Sequence, residues 1–126
     1  MSFEEQVKSN CGRLPYDRIR ITRFDTLELA TIPRGVLFVF AIWSGDAIRS
    51  FRMLCDGLAA TPEANFSILV MDADGFDFDA FMSALGELPQ GKGEAYWIRN
   101  GQVINRDHGY TDATIGVLQE RIRDFK

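Results

Sequence analysis

Between Gly35 and Leu58 the sequence changes its hydrophobic period once, and that change limits what the chain can fold into. Val36-Leu37-Phe38-Val39-Phe40 combines β-branched, aromatic and leucine residues with no polar alternation. Such a run suits a strand buried on both faces, although periodicity alone leaves a buried helix open. From Ala47 onward, Ile48, Phe51, Leu54, Cys55 and Leu58 recur at steps of three and four, while Arg49, Arg52 and Asp56 fall on the other side. That pattern is an amphipathic helix. Trp43-Ser44-Gly45-Asp46 lies between the two, so the stretch predicts strand, turn and helix, with the turn at the carboxyl end of the strand, where loops often carry function.

The rest of the chain extends this unit. Residues 1–17 show weak helical character around Phe3 to Val7, then Asn10, Gly12 and Pro15 as punctuation, and are read as an N-terminal arm ahead of a domain spanning 18–126. Arg18 to Phe24 alternates charged and apolar residues, which predicts an outer strand with Ile19, Ile21 and Phe24 turned to the core. Asp25 and Thr26 are candidates to cap a short helix through Leu27, Leu29 and Ala30 that stops before Pro33. Phe66 to Met71 is a second buried strand. A helix carrying Phe78, Phe81, Met82 and Leu85 follows, starting near Asp77 or Asp79. Ala95 to Arg99 and Gln102 to Arg106 flank Asn100-Gly101, a strong hairpin signal because both residues tolerate positive φ. His108 is read as a polar loop residue, and a last helix capped by Thr111 or Asp112 carries Ile115, Leu118, Ile122 and Phe125.

Composition narrows the classes. At 126 residues and 46% apolar content the chain can build one core without metal or disulfides. A net charge of −4 with no nucleic-acid motif argues against nonspecific binding to DNA or anionic membranes. The longest apolar run, Gly35 to Trp43, is too short for a membrane span, and with Met1 as the true start Glu4, Glu5 and Lys8 occupy the place of a signal peptide's apolar core. A cytoplasmic protein is the expectation. Cys11 and Cys55 lie far apart in sequence and form neither a Cys-x-x-Cys pair nor a zinc-ligand set. Cys55, on the apolar helix face, is expected to be a buried, inert thiol.

The element order β-α-β-α-β-α-β-β-α, with a hairpin turning on Asn100-Gly101 and a closing amphipathic helix, resembles the thioredoxin fold over residues 18 to 125. Trp43-Ser44-Gly45-Asp46-Ala47 looks like that family's Trp-Cys-Gly-Pro-Cys stretch, and Gly109 falls where the family often has a glycine before its last helix. The resemblance implies a thioredoxin-like three-layer α/β/α sandwich with a central mixed β-sheet. It also marks what is missing. Thioredoxin chemistry needs a thiolate at the helix N-terminus and a resolving thiol three residues on, and Ser44 and Ala47 stand there instead. Gly93 matches the family's cis-proline, and Phe38 stands where thioredoxins carry a buried aspartate. Dithiol oxidoreductase activity is therefore not expected. No metal site and no cofactor is expected either.

Two surfaces remain as candidates for function. The degenerate active-site surface comprises Trp43, Ser44, Gly45, Asp46, Lys92 and Gly93. Within it, Ser44 or Asp46 is read first as the helix N-cap; the alternative, borrowed from glutathione-transferase relatives of the fold, is a Ser44 hydroxyl that steadies a thiolate in a small glutathione-binding enzyme. Trp43 is read first as core or rim packing and second as a binding anchor. The other surface is acidic: Asp72, Asp74, Asp77 and Asp79 belong to a stretch from Asp56 to Gln90 that holds seven acidic residues and no lysine or arginine. Asp72 to Asp79 is not an EF-hand, since Gly75 is fourth rather than sixth and Ser83 occupies the twelfth position. Helix capping and solvation account for much of the acidity, but it also suits docking onto a basic protein partner. The functional expectation is a redox-inactive thioredoxin-like protein-interaction or structural module; an antitoxin-like inhibitor of a basic nuclease fits the acidity without any motif behind it.

Overall fold

The computed structural model describes residues 2–23, 29–75 and 78–126, and of Phe78 the backbone only. Its elements are α1 (Phe3–Asn10), β1 (Ile19–Thr22), β2 (Arg34–Phe40), α2 (Gly45–Ala59), β3 (Ser67–Asp72), α3 (Phe78–Leu85), β4 (Glu94–Arg99), β5 (Gln102–His108) and α4 (Ile115–Phe125). The strands form one sheet in the order β1-β3-β2-β4-β5. β1 and β2 each run parallel to β3, whereas β4 runs antiparallel to both β2 and β5. The sheet is therefore mixed, and β2 lies at its centre.

The apolar run opened on above explains that position. Gly35 to Phe40 is buried throughout, and the period of two sends alternate side chains to opposite faces. Val36, Phe38 and Phe40 join Phe51, Leu54, Leu58, Leu118, Ile122 and Phe125 in the larger core under α2 and α4. Leu37 and Val39 join Phe81, Leu85, Tyr96 and Ile98 in the smaller core under α3. Phe38 sits in an aromatic cluster, its ring centroid 5.1 Å from Phe51 and 5.7 Å from Phe40.

Residues 1–17, read as an arm, contribute Val7, Cys11 and Leu14 to the larger core, and Phe3 packs edge-on against Phe40. α1 is fastened at its start by a Ser2–Glu5 capping box. Its end is held by Arg52, whose Nε donates to Asn10 Oδ1 at 2.8 Å. The capping signal was present in the sequence, but the contacts that tie α1 to α2 are long-range.

Several local expectations need correction. Asp25, Thr26 and Leu27, the expected cap and start of a helix, lie outside the described residues, as does Phe24; what is described before β2 is a single 3-10 turn, Leu29–Thr31. Ile21 is 36% exposed, because β1 is an edge strand with β3 as its one neighbour. Met82 and Ile115 are exposed on their helices. Thr111 caps a 3-10 turn, Asp112–Thr114, and α4 begins after it. His108 ends β5 rather than sitting in a loop. The hairpin is as expected, with Asn100 at φ 52° and Gly101 at φ 78°.

Two buried tyrosines on the same half of the sheet differ in their polar atoms. Tyr110 donates from its hydroxyl to Asp107 Oδ2 at 2.7 Å and accepts from Trp97 Nε1 at 2.9 Å. Asp107 in turn accepts a two-pronged contact from Arg121 on α4, at 3.1 and 3.2 Å. Burial, followed by the nearby Asp107 charge, pushes the Tyr110 hydroxyl pKa well up, so it stays a donor. The Tyr96 hydroxyl is buried with no hydrogen-bond partner among the described residues. An unmade buried hydrogen bond costs stability, while a made one adds it. Tyr110→Phe should thus lower the unfolding free energy by about 1–3 kcal/mol, and Tyr96→Phe should leave it unchanged or raise it by about 1 kcal/mol. Urea unfolding midpoints at neutral pH check the opposite signs.

Candidate functional site

The turn between β2 and α2 is closed by the Ser44 amide, which donates to the Ala41 carbonyl at 3.0 Å. Ser44 is the N-cap of α2: its Oγ accepts from the Ala47 amide at 3.2 Å, and its carbonyl takes the first helical bond from Ile48. The capping role is thus filled by Ser44 rather than Asp46, which lies exposed and pairs with Arg49 at 3.1 Å. Ala47 is fully buried.

Trp43 is 67% exposed, so of the core and rim readings it is not the core. It is nonetheless held at two points. Its Nε1 donates to Asp74 Oδ1 at 3.1 Å. Its ring lies over Gly91, where a built Cβ would stand 2.7 Å from Trp43 Cη2. One side chain therefore links the β2–α2 turn, the loop after β3 and the loop before β4, and it joins the two candidate surfaces into one.

The loop before β4 is fixed from below. Glu94 is completely buried, and its carboxylate accepts from the amides of Gln90 at 2.5 Å and Lys92 at 3.2 Å. Gly93 takes φ 82°, with no cis peptide bond in the described chain. A Cβ there would lie 2.6 Å from Ser50 Cβ and 3.0 Å from Ala47 Cα, so only glycine lets this loop sit on α2. Ser50 Oγ donates to the Gly93 carbonyl at 2.9 Å and accepts from the Tyr110 amide at 2.9 Å. Gly109, at φ 102°, lies against Lys92, with a built Cβ only 2.6 Å from the Lys92 carbonyl oxygen.

Ser50 and Glu94 escaped the sequence reading of the site, although signals existed. Ser50 sits three residues after Ala47 and four before Leu54, a hydroxyl on the apolar face of an amphipathic helix. Glu94 opens a strand whose next residues are all apolar or aromatic.

Beside the α2 N-terminus is a hollow of about 260 Å³ lined by Asp46, Arg49, Lys92, His108 and Thr111. Of the lining residues, His108 pairs through Nε2 with Glu87 at 2.7 Å; Glu87 also accepts from Arg106 at 3.2 Å, and Arg106 bonds the Leu85 carbonyl at the end of α3. Partial burial works to raise the Glu87 pKa, but the hydrogen bonds from His108 and Arg106 and their charges outweigh it and hold the carboxyl below its ordinary value.

On the acidic surface, Asp72 Oδ1 accepts from the Asp74 amide at 2.9 Å, closing the turn before Gly75. Asp74 and Asp79 are exposed. Asp77 lies outside the described residues. Among the described residues, no group of three or more histidine, cysteine, aspartate or glutamate side chains is placed to hold a metal ion, and no helix is long and apolar enough to cross a membrane. The chain's two cysteines are both free and buried. Burial, with smaller contributions from Cys11 and Asp56, raises the Cys55 thiol pKa far above the usual range, away from reactivity.

These elements define a thioredoxin-like fold, one in which the turn into α2 carries no sulfur. A solved structure with that architecture is the thioredoxin of Trypanosoma brucei brucei, similar to this chain with a TM-score of 0.62 at 20% identity, over 89% of this chain and 94% of that one. No protein-family model matches the sequence, and a comparison with curated proteins found no match.

Ser50→Ala should leave the Gly93 carbonyl and Tyr110 amide without their buried partner and cost about 2–4 kcal/mol in urea unfolding. For Glu87, a carboxylate favoured by folding, the stabilisation is fully present above its ordinary value of about 4.3 and disappears as pH falls through the lowered folded value. The stability gap between the native protein and Glu87→Gln should therefore be widest near neutrality and close on acidification, as read from unfolding midpoints along a pH series.

Proposed function

We propose that this chain is a redox-inactive thioredoxin-like domain that works by binding a protein, with Trp43 as the anchor of the contact surface. The observation that supports the reading most is the state of Trp43: two-thirds exposed, yet fixed by Asp74 on one side and Gly91 on the other. A large aromatic ring held in place before a partner arrives loses little entropy on docking, which is what binding hot spots need.

Loss of redox chemistry follows from the turn. Ser44 and Ala47 offer a hydroxyl and a methyl group where disulfide exchange requires two thiols. The Ser44 hydroxyl is also occupied in capping α2, so the glutathione-binding alternative is the weaker reading. Asp74 bonded to Trp43, the exposed Asp79, and the absence of lysine and arginine from Gly57 to Gln90 favour a partner that presents basic side chains.

Affinity capture with the native chain and with Trp43→Ala as bait tests the proposal. The native chain should enrich a partner that the variant recovers at least tenfold less, a difference of about 1.4 kcal/mol in binding. Charge reversal at Asp74 and Asp79 should weaken the same partner most at low salt. Equal recovery by both baits would overturn the Trp43 surface, and insulin-reducing activity in the native chain would overturn redox inactivity.

A further inference from the structure

The chain's two cysteines, far apart in sequence, meet where α1 packs on α2. Cys11 follows the last residue of α1, and Cys55 lies in the last third of α2. Both are free, and both belong to the larger core. Their sequence neighbours touch across the same seam. Asn10 Oδ1 accepts from Arg52 Nε at 2.8 Å, and a Cβ on Gly12 would stand 3.1 Å from Asp56 Oδ1. Gly12 and Asp56 are exposed at the rim, while Cys11 and Cys55, each one residue earlier, are buried beneath it. The Cys11 sulfur is near enough for its charge to act on the Cys55 thiol.

The two sides of the seam differ in how firmly they are held. α2 has fifteen residues and buries six of them against the sheet and its neighbours. α1 has eight, of which only Val7 and Asn10 are buried. A helix that short is not stable alone, so it forms only while docked. Brief undocking of such an element costs less than global unfolding, and it uncovers Cys11, already the more exposed thiol at 5% against 1% for Cys55.

We propose that Cys11 and Cys55 form a redox latch, in which a peroxide converts the pair into an intrachain disulfide that locks α1 onto α2. The Cys11 sulfur attacks one peroxide oxygen, the O–O bond breaks, and water leaves with Cys11 as a sulfenic acid. The Cys55 sulfur then attacks the Cys11 sulfur, forming the S–S bond and releasing a second water. Two electrons pass from the sulfurs to the peroxide, and both thiol protons depart in the waters. Neither sulfur lies at the β2–α2 turn, so the latch is no exchange catalyst and is independent of the Trp43 surface.

Treating the full chain with hydrogen peroxide, then measuring intact mass and mapping peptides without reduction, tests the latch. The expected product is a monomer lighter by two hydrogens, with the Cys11 and Cys55 peptides linked, and dithiothreitol should reverse it. Amide hydrogen exchange in α1 should slow about tenfold or more in the linked form. The urea midpoint should rise, because the link closes a long loop in the unfolded chain. Cys11→Ser and Cys55→Ala should each abolish the loss of two hydrogens and the effect of peroxide on α1 exchange. Sulfinic acid or linked dimers in place of the intrachain bond would overturn the pairing. An intrachain bond that leaves α1 exchange and the urea midpoint unchanged would overturn the locking of α1.

Discussion

A single buried hydroxyl, that of Ser50, carries more of this architecture than its size suggests. It lies inside the apolar face of α2 and uses its donor on the Gly93 carbonyl and its acceptor capacity on the Tyr110 amide. Both backbone groups belong to loops that would otherwise approach the helix with unpaired polar atoms, a state that buried backbone rarely tolerates. Through Ser50 the loop before β4 and the loop after β5 are fastened to the same helical turn. Trp43 rests on the first of these loops, and the hollow beside α2 is bounded by both.

Around that centre, polar groups are buried only where backbone or side chains meet them. Glu94 spends its carboxylate on two amides of the Gln90–Lys92 loop, and Asp107 collects Tyr110, Trp97 and Arg121. The second arrangement spans the hairpin and α4, so the last helix is joined to the sheet by polar contacts as well as by Leu118, Ile122 and Phe125. Tyr96 departs from the pattern on the opposite face, its hydroxyl buried without a described partner.

Much of this was legible in the amino-acid order. The switch of period at Trp43, the Asn100-Gly101 turn and the apolar stripes of α2 and α4 each depend on neighbours within a few residues, and local pattern captures such dependence. Ser44 as a cap is equally local. The choice between core and rim for Trp43 was not legible, because its two supports, Asp74 and Gly91, are distant in sequence. Ile21, Met82 and Ile115 fit an apolar period yet stand exposed, because period locates a face but not where its cover ends. The packing of α1 on α2 depends on Arg52 reaching Asn10, a pairing no periodicity encodes.

The left-handed backbone at Gly93 limits what the loop before β4 can become. Proline holds φ near −65°, whereas Gly93 sits at 82° with Ser50 and Ala47 directly beneath it. The loop before β4 could not accept a proline at this position without being rebuilt, and the Ser50 tether stands in the way of rebuilding. Position 93 is therefore closed to every residue but glycine unless the loop and its Ser50 tether move together.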